Sequence, residues 1–246
     1  CRKRISTTLY TLVVYLSAAV VPGLVLLAAR VPLPGYTLPG RGEAGDRISG
    51  PKKMECKSVY ETARLALRLA APSLTPALTD YYRRNRTFFS AFDPEREEDF
   101  FTETSQRASL EKDAALAEED RGYRFYLFLK KKSETIIGMV GLNNLVRGAF
   151  QSCHLGYKLD GAHLCQGYMT EAVKAVTGIA FDDLGLHRIE ANIMPRNKAS
   201  LRVAEKAGFY NEGLALKYLK INGVWEDHIH MVLRSELWQG REKIPL

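Results

Sequence analysis

From residue 62 onward, apolar positions recur with a period of two in some stretches and 3.6 in others, and the switches between them outline the elements. Thr62–Ala70 (TARLALRLA) alternates apolar with basic or small residues, which predicts a half-buried strand. Thr75-Pro76 sets a capping hydroxyl before a proline at the first helical position, so a helix is expected from there to about Asn85. Pro94–Glu119 is charged and helix-favouring, enough for one or two helices. Tyr123–Leu129 and Thr135–Leu142 are β-rich apolar runs around Lys130-Lys131-Lys132-Ser133-Glu134, the pattern of a hairpin. Phe150–Leu159 reads as the next strand. Met169, Ala172, Val173, Val176, Ala180 and Leu184 then fall at helical spacing and predict an amphipathic helix. His187–Ile193 returns to strand, and Asn197–Ala207 is a helix between an Asn cap and Gly208. Tyr210–Ile221 and Trp225–Leu233 close the chain as two strands turning at Asn222-Gly223. The order β-α-α-β-β-β-α-β-α-β-β, without internal repeats, implies an α/β fold on a mixed sheet.

The first 53 residues differ from this body. An uncharged run of 21 residues, Leu9–Ala29, is long enough to span a bilayer, and Ser17-Ala18-Ala19 has the form of a signal-peptidase site. A Pro/Gly-rich stretch of linker character follows. Three origins fit: upstream or non-native sequence, a membrane anchor, and a cleaved signal. Basic residues flank the run on both sides and the first methionine is Met54, so the first origin is preferred and the domain is expected at 54–246.

The formal charge of the 246 residues is +7, but residues 1–53 hold eight Lys/Arg against two acids, leaving +1 for the body. A nearly neutral body gives no electrostatic basis for direct nucleic-acid binding. The four cysteines form no CxxC pair and have no histidine at zinc-finger spacing, so no metal site and no disulfide scaffold is expected. Reduced thiols suit a cytoplasmic protein.

The chemistry concentrates in HLGYKLDGAHLCQGYMTEAVKAV, residues 154–176. A strand feeding a loop that ends in Gly167 and opens a long helix presents unpaired N–H groups and the positive end of the helix dipole. That is a place for a diphosphate, although many strand–helix connections contain a glycine.

Gln166-Gly167-Tyr168-Met169-Thr170-Glu171-Ala172, Leu186-His187-Arg188-Ile189-Glu190-Ala191-Asn192, Pro195-Arg196-Asn197-Lys198-Ala199-Ser200 and Gly208-Phe209 resemble the acetyl-CoA-binding core of GNAT N-acetyltransferases. The likeness is to the RimJ/RimL branch, which acetylates protein N-termini. It extends through Asp80-Tyr81-Tyr82, Asn144–Phe150, Leu155-Gly156-Tyr157 and Asp227-His228, over about residues 58–238.

The resemblance implies that acetyl-CoA lies where Phe150–Leu159 and His187–Ile193 splay apart, with its pantetheine along Leu155, Gly156, Tyr157 and Leu159. Its pyrophosphate would meet Leu164, Cys165, Gln166, Gly167, Tyr168, Met169 and Thr170, with Asn192 and Asn197 as further contacts. The acceptor amine would attack the thioester directly, with no covalent enzyme intermediate. This loop departs from the family's Gln/Arg-x-x-Gly-x-Gly/Ala pattern, since Leu164 and Cys165 stand near the Gln/Arg and Gly-type positions. The tyrosine that many relatives use to protonate the thiolate is replaced by Ala204, and Ser200 resembles the serine used instead in the N-terminal branch. Ser200 could equally be a first-turn hydroxyl and Asn197 only a cap.

His154, where relatives often carry Glu, and Glu190 are candidate bases. An α-amine of pKa near 7.8 is roughly 15% neutral at pH 7, whereas a lysine is below about 0.1% neutral, so a weakly basic site suits an N-terminus better. The expected acceptor is therefore a protein N-terminus, with the N-terminal alanine of a ribosomal protein as one candidate, on a monomer or homodimer. A polyamine or antibiotic acceptor and a non-catalytic CoA-binding module are the alternatives. His163, His187, His228 and His230 are not expected to cluster, and Trp225, Trp238 and Tyr81-Tyr82 are read as packing. The Tyr81–Phe89 region is expected to border the acceptor groove.

Overall fold

The computed structural model describes residues 56–90 and 95–237. The leader, Met54 and Trp238 lie outside them, as does the start of the 94–119 segment. Among the described residues no helix is long and apolar enough to cross a membrane.

Eight strands form one sheet in the order β1-β2-β3-β4-β5-β6-β8-β7. They are β1 (Val59–Glu61), β2 (Leu65–Leu69), β3 (Tyr123–Leu129), β4 (Lys132–Val146), β5 (Ser152–Leu159), β6 (Arg188–Ile193), β7 (Tyr210–Ile221) and β8 (Val224–Arg234). Every neighbouring pair is antiparallel except β5–β6, which is parallel. The helices are α1 (Thr75–Arg84), the single turn α2 (Arg86–Phe89), α3 (Glu103–Glu118), α4 (Tyr168–Gly178) and α5 (Lys198–Lys206). Alpha/beta architecture with a mixed sheet is what the hydrophobic pattern implied.

Two cores lie on opposite faces. The larger packs Leu65, Leu67, Phe125, Leu127 and Ile189 against Met169, Ala172, Val173 and Val176 of α4 and Leu201 and Ala204 of α5. The smaller packs Ala66, Tyr126 and Phe128 under Leu78 and Tyr81 of α1 and Leu110 of α3. Strand β2 is therefore not half-buried as its alternation suggested. Leu65, Ala66 and Leu67 are all buried, because helices cover both faces and small Ala66 fits where a polar residue would have faced water. The strand also begins three residues later than the pattern indicated, and Val59–Glu61, too short to show a period, adds an edge strand beside it.

Thr75 is inside α1, not at its cap: its backbone is helical and its hydroxyl donates to Pro72 O at 2.7 Å. The 94–119 segment resolves into a tight turn at Glu98–Phe101 and α3, capped by Thr102, whose Oγ1 accepts from Ser105 N. The helix expected to reach Leu184 ends at Gly178 and continues as a wider π turn through Ile179–Asp183, with Ala180 and Leu184 still buried. Asn197 caps α5 through Ser200 N at 3.1 Å, and Asn222-Gly223 turns with both φ positive, as the sequence indicated.

Gly208 ends α5 at φ +97, in left-handed space that side chains with a Cβ rarely adopt. A Cβ there would find Leu233 Cδ1 only at 3.7 Å, so conformation alone opposes substitution. Gly208→Ala is expected to lower unfolding free energy by about 1–2 kcal/mol, read by urea denaturation.

Candidate active site

β5 and β6 pair only at Ser152↔Arg188, Cys153↔Ile189 and His154↔Glu190. Beyond that level β5 stays with β4, through Leu155↔Leu142 to Leu159↔Gly138, and β6 stays with β8 through Ile193↔Ile229. The facing edges of Leu155–Leu159 and Ala191–Ile193 thus pair with no strand among the described residues. A bulge marks the same level, where β4 loses register between Asn143 and Val146 with Asn144 at φ +51. Bulges bend the strand that carries them, and this one bends β4 and β5 away from β6. The cleft so formed offers main-chain N–H and C=O groups to an extended ligand that carries amides. Tyr157 reaches out of β5 and donates its hydroxyl to Ser200 O at 2.8 Å, fixing the first turn of α5 against the β5 arm.

The loop after β5 is clamped from both ends. Asp160 is buried, and its Oδ1 accepts from Ala162 N at 2.9 Å while Arg84 Nε holds Oδ2 at 2.8 Å. Asn85 Oδ1 accepts from Gly161 N at 3.0 Å. Burial alone would raise the Asp160 carboxyl, but these hydrogen bonds outweigh it and hold the group below its ordinary range. At the other end Arg64 donates from Nη1 to Gln166 O at 2.9 Å and from Nε to Glu171 Oε2 at 2.7 Å, with its guanidinium 4.5 Å over the Tyr168 ring. Thr62 Oγ1 gives Glu171 a further bond at 2.6 Å. Burial opposes the Glu171 charge, and the Thr62 and Arg64 bonds overcome it, so this carboxyl too is held low. A bare acid in the first turn of α4 would repel an anion there, and Arg64 neutralises it.

Between the clamps, Cys165 sits at φ +58 and Gly167 at φ +79. The left-handed backbone at Cys165 explains why a glycine is expected there, and a Cβ on Gly167 would meet Arg64 Nη2 at 3.4 Å. The loop then enters α4, whose first-turn N–H groups have no partner within the helix. Arg64 stands about a hundred residues from this loop, and no local pattern marks it. Met169 and Leu155 bury their side chains in the core, so only their main chains are available to a ligand.

The sheet face opposite α4 and α5 carries the other candidates. His154 and Glu190 do come together, Nε2 to Oε1 at 3.9 Å, and Arg188 binds the other Glu190 oxygen at 3.0 Å while also pairing with Glu212. His230, to which the sequence assigned no chemistry, joins them, its Nδ1 3.2 Å from Glu190 Oε1. β6–β8 pairing brings it there by setting His230 opposite Asn192. Asn192 donates from Nδ2 to the Tyr218 hydroxyl at 3.1 Å, and its Oδ1 is buried without a partner among the described residues. Ser200 lies on the α5 side, with its N–H on Asn197 and its carbonyl on Tyr157. Tyr81 is fully buried as packing predicted, but Trp225 is 56% exposed because the β7–β8 hairpin runs past the covered part of the sheet. The hairpin tip meets the segment after α2, where Asn222 Oδ1 accepts from Glu95 N at 2.7 Å. Among the described residues no three His, Cys, Asp or Glu side chains converge as metal ligands.

A family model described as Acetyltransferase (GNAT) domain matches residues 64–210. The protein named "Probable N-acetyltransferase YjcK" of Bacillus subtilis (strain 168) is 49% identical over 144 residues, covering 58% of this chain and 79% of its own. The [Ribosomal protein uS5]-alanine N-acetyltransferase of Escherichia coli (strain K12) is 35% identical over 177 residues, 72% of this chain and 91% of its own. Among solved structures, Mycobacterium smegmatis RimJ in complex with CoA-disulfide superposes with a TM-score of 0.66 at 25% identity, over 70% of this chain and 82% of that one.

The two clamped carboxylates set a pH dependence. Both are held low in the fold, so each contributes stability above the ordinary carboxylate range near pH 4 and loses it as pH falls through the folded value. Asp160→Asn and Glu171→Gln are each expected to flatten the acid limb of stability against pH, measured by urea unfolding from pH 7 down to pH 3.

Proposed function

The chain belongs to the GNAT acetyltransferase family, an acetyl-CoA-dependent N-acetyltransferase related to the ribosomal-protein enzymes, and from that premise we propose that its acceptor is the α-amine of a protein N-terminus. Acetyl-CoA would supply an activated acetyl thioester. The free β5 edge suits the pantetheine amides, with a main-chain N–H there polarising the carbonyl. The first-turn N–H groups of α4 and the loop Leu164–Thr170 suit the pyrophosphate, with the Glu171 charge cancelled by Arg64. Ser200, beside the β5 arm, is assigned the proton for the departing thiolate, and Asn197 holds the turn that carries it. Glu190 and His154 lie on the opposite face, where the acceptor would enter.

The observation that carries the choice of acceptor is the likeness to the [Ribosomal protein uS5]-alanine N-acetyltransferase of Escherichia coli, 35% identical over 72% of this chain. The rings of Tyr82, Phe89 and Phe100 pack edge to face beside the groove, and an extended peptide, with one charge at its end and amides along its length, suits an aromatic-walled passage next to free strand edges. We place this activity in the cytoplasm, where ribosomal N-termini are made, and the uS5-type alanine of the E. coli relative is the first candidate substrate.

The test is an acceptor screen at saturating acetyl-CoA with peptides beginning Ala or Ser, spermidine and an aminoglycoside. Turnover of the peptides is expected, and turnover of the small amines alone would overturn the reading. Calorimetry of acetyl-CoA on the full chain should show micromolar binding, abolished by Gly167→Glu. Ser200→Ala is expected to lower kcat about 10- to 100-fold with acetyl-CoA affinity unchanged, and an unchanged kcat would remove Ser200 from the mechanism.

A further inference from the structure

The acceptor face holds one carboxylate between two imidazoles, and the imidazoles are not equivalent. Glu190 Oε1 lies 3.2 Å from His230 Nδ1 and 3.9 Å from His154 Nε2, while Oε2 is taken by Arg188. A nitrogen lone pair that close to a carboxylate oxygen would be repelled, so His230 carries its proton on Nδ1. The neutral ring then keeps its basic lone pair on Nε2, which is buried and has no partner among the described residues. His154 is wired the other way. Asn144 Nδ2 stands 3.3 Å from its Nδ1, and an amide nitrogen only donates, so that lone pair is occupied and the proton sits on Nε2, toward Glu190.

We propose that Glu190 and His230 form a proton-accepting dyad, with His230 Nε2 as the base for the acceptor ammonium and His154, held by Asn144, as a neighbouring imidazole 3.9 Å from the carboxylate. The proposal rests on the reading of this face as the acceptor side. One ammonium proton passes to His230 Nε2, and Glu190 balances the imidazolium charge. The freed amine nitrogen bonds the thioester carbonyl carbon, the C–S bond breaks with its electron pair left on sulfur, Ser200 gives that sulfur its hydroxyl proton, and the second amine proton replaces it on Ser200. The proton on His230 returns to solvent.

Tyr218 packs against the imidazole. Its ring stands 4.9 Å from that of His230, nearly edge to face, and its hydroxyl accepts from Asn192. Tyr218 belongs to the stretch where β7 slips register against β8, between Ala215↔His228 and Leu219↔Glu226, with Lys217 at φ +49. Bulges re-aim side chains beside active sites, and this one lays Tyr218 over the imidazole. Other titratable groups around His230 are Arg188 and Glu190 on β6, His154 on β5, Glu212 on β7 and His228 on its own strand.

Two readouts test the dyad. Long-range 15N–1H NMR of the full chain reads ring tautomers directly: His230 is expected in the Nδ1–H form, reverting toward the ordinary Nε2–H form in Glu190→Gln. An Nε2–H tautomer in the unaltered protein would overturn the assignment. His230→Gln should lower kcat with an Ala-starting peptide about a hundredfold at pH 7, with acetyl-CoA affinity retained by calorimetry. An unchanged kcat in His230→Gln would also overturn it. If no peptide is turned over, the acceptor reading fails on its own, and the tautomer measurement still decides the dyad.

Discussion

The parallel pairing of β5 with β6 stops after His154↔Glu190, and the site depends on that stop. Backbone N–H and C=O groups must find partners, and a sheet ordinarily supplies them across every interior edge. Here β5 keeps its partner β4 and β6 keeps its partner β8, so each strand is held from outside while the edges between them part. The opening is stable because neither arm is loose. Tyr157 ties β5 to the first turn of α5, and the core under α4 and α5 fills the space beneath both strands.

The same cleft divides the chemistry between two faces. On one side lie the N-terminus of α4 and its preceding loop, the site proposed for the pyrophosphate, where the acid in the first turn is matched to Arg64. On the other face Glu190 is tied to Arg188 and flanked by His154 and His230, the side proposed for the acceptor.

Legibility followed the range of the interaction. Asn197, Gly208 and Asn222-Gly223 act within a few residues, and each stood where local chemistry put it. The face of the long helix was equally plain, since Met169, Ala172, Val173 and Val176 repeat at 3.6 residues. Thr75 misled because a hydroxyl before a proline is a cap only if its own backbone stays extended, and the preceding turn at Pro72–Leu74 had already made it helical. β2 misled because period two reports a two-sided strand but not whether its second side meets water or another helix. Arg64 and His230 were not legible, because each reaches its site through strand order and pairing that no spacing encodes.

The sequence by itself determined the family, the order of elements after the edge strand, the loop and helix proposed for the pyrophosphate, and the departure of Cys165 from a glycine position, since these rest on motifs and short-range periods. Only the tertiary structure decided that Cys165 adopts left-handed backbone, that Arg64 clamps that loop, and that His154 and His230 share one carboxylate. The physical reason is that pairing across strands fixes which distant side chains stand on one face, and proton positions follow from those neighbours rather than from the residues alone.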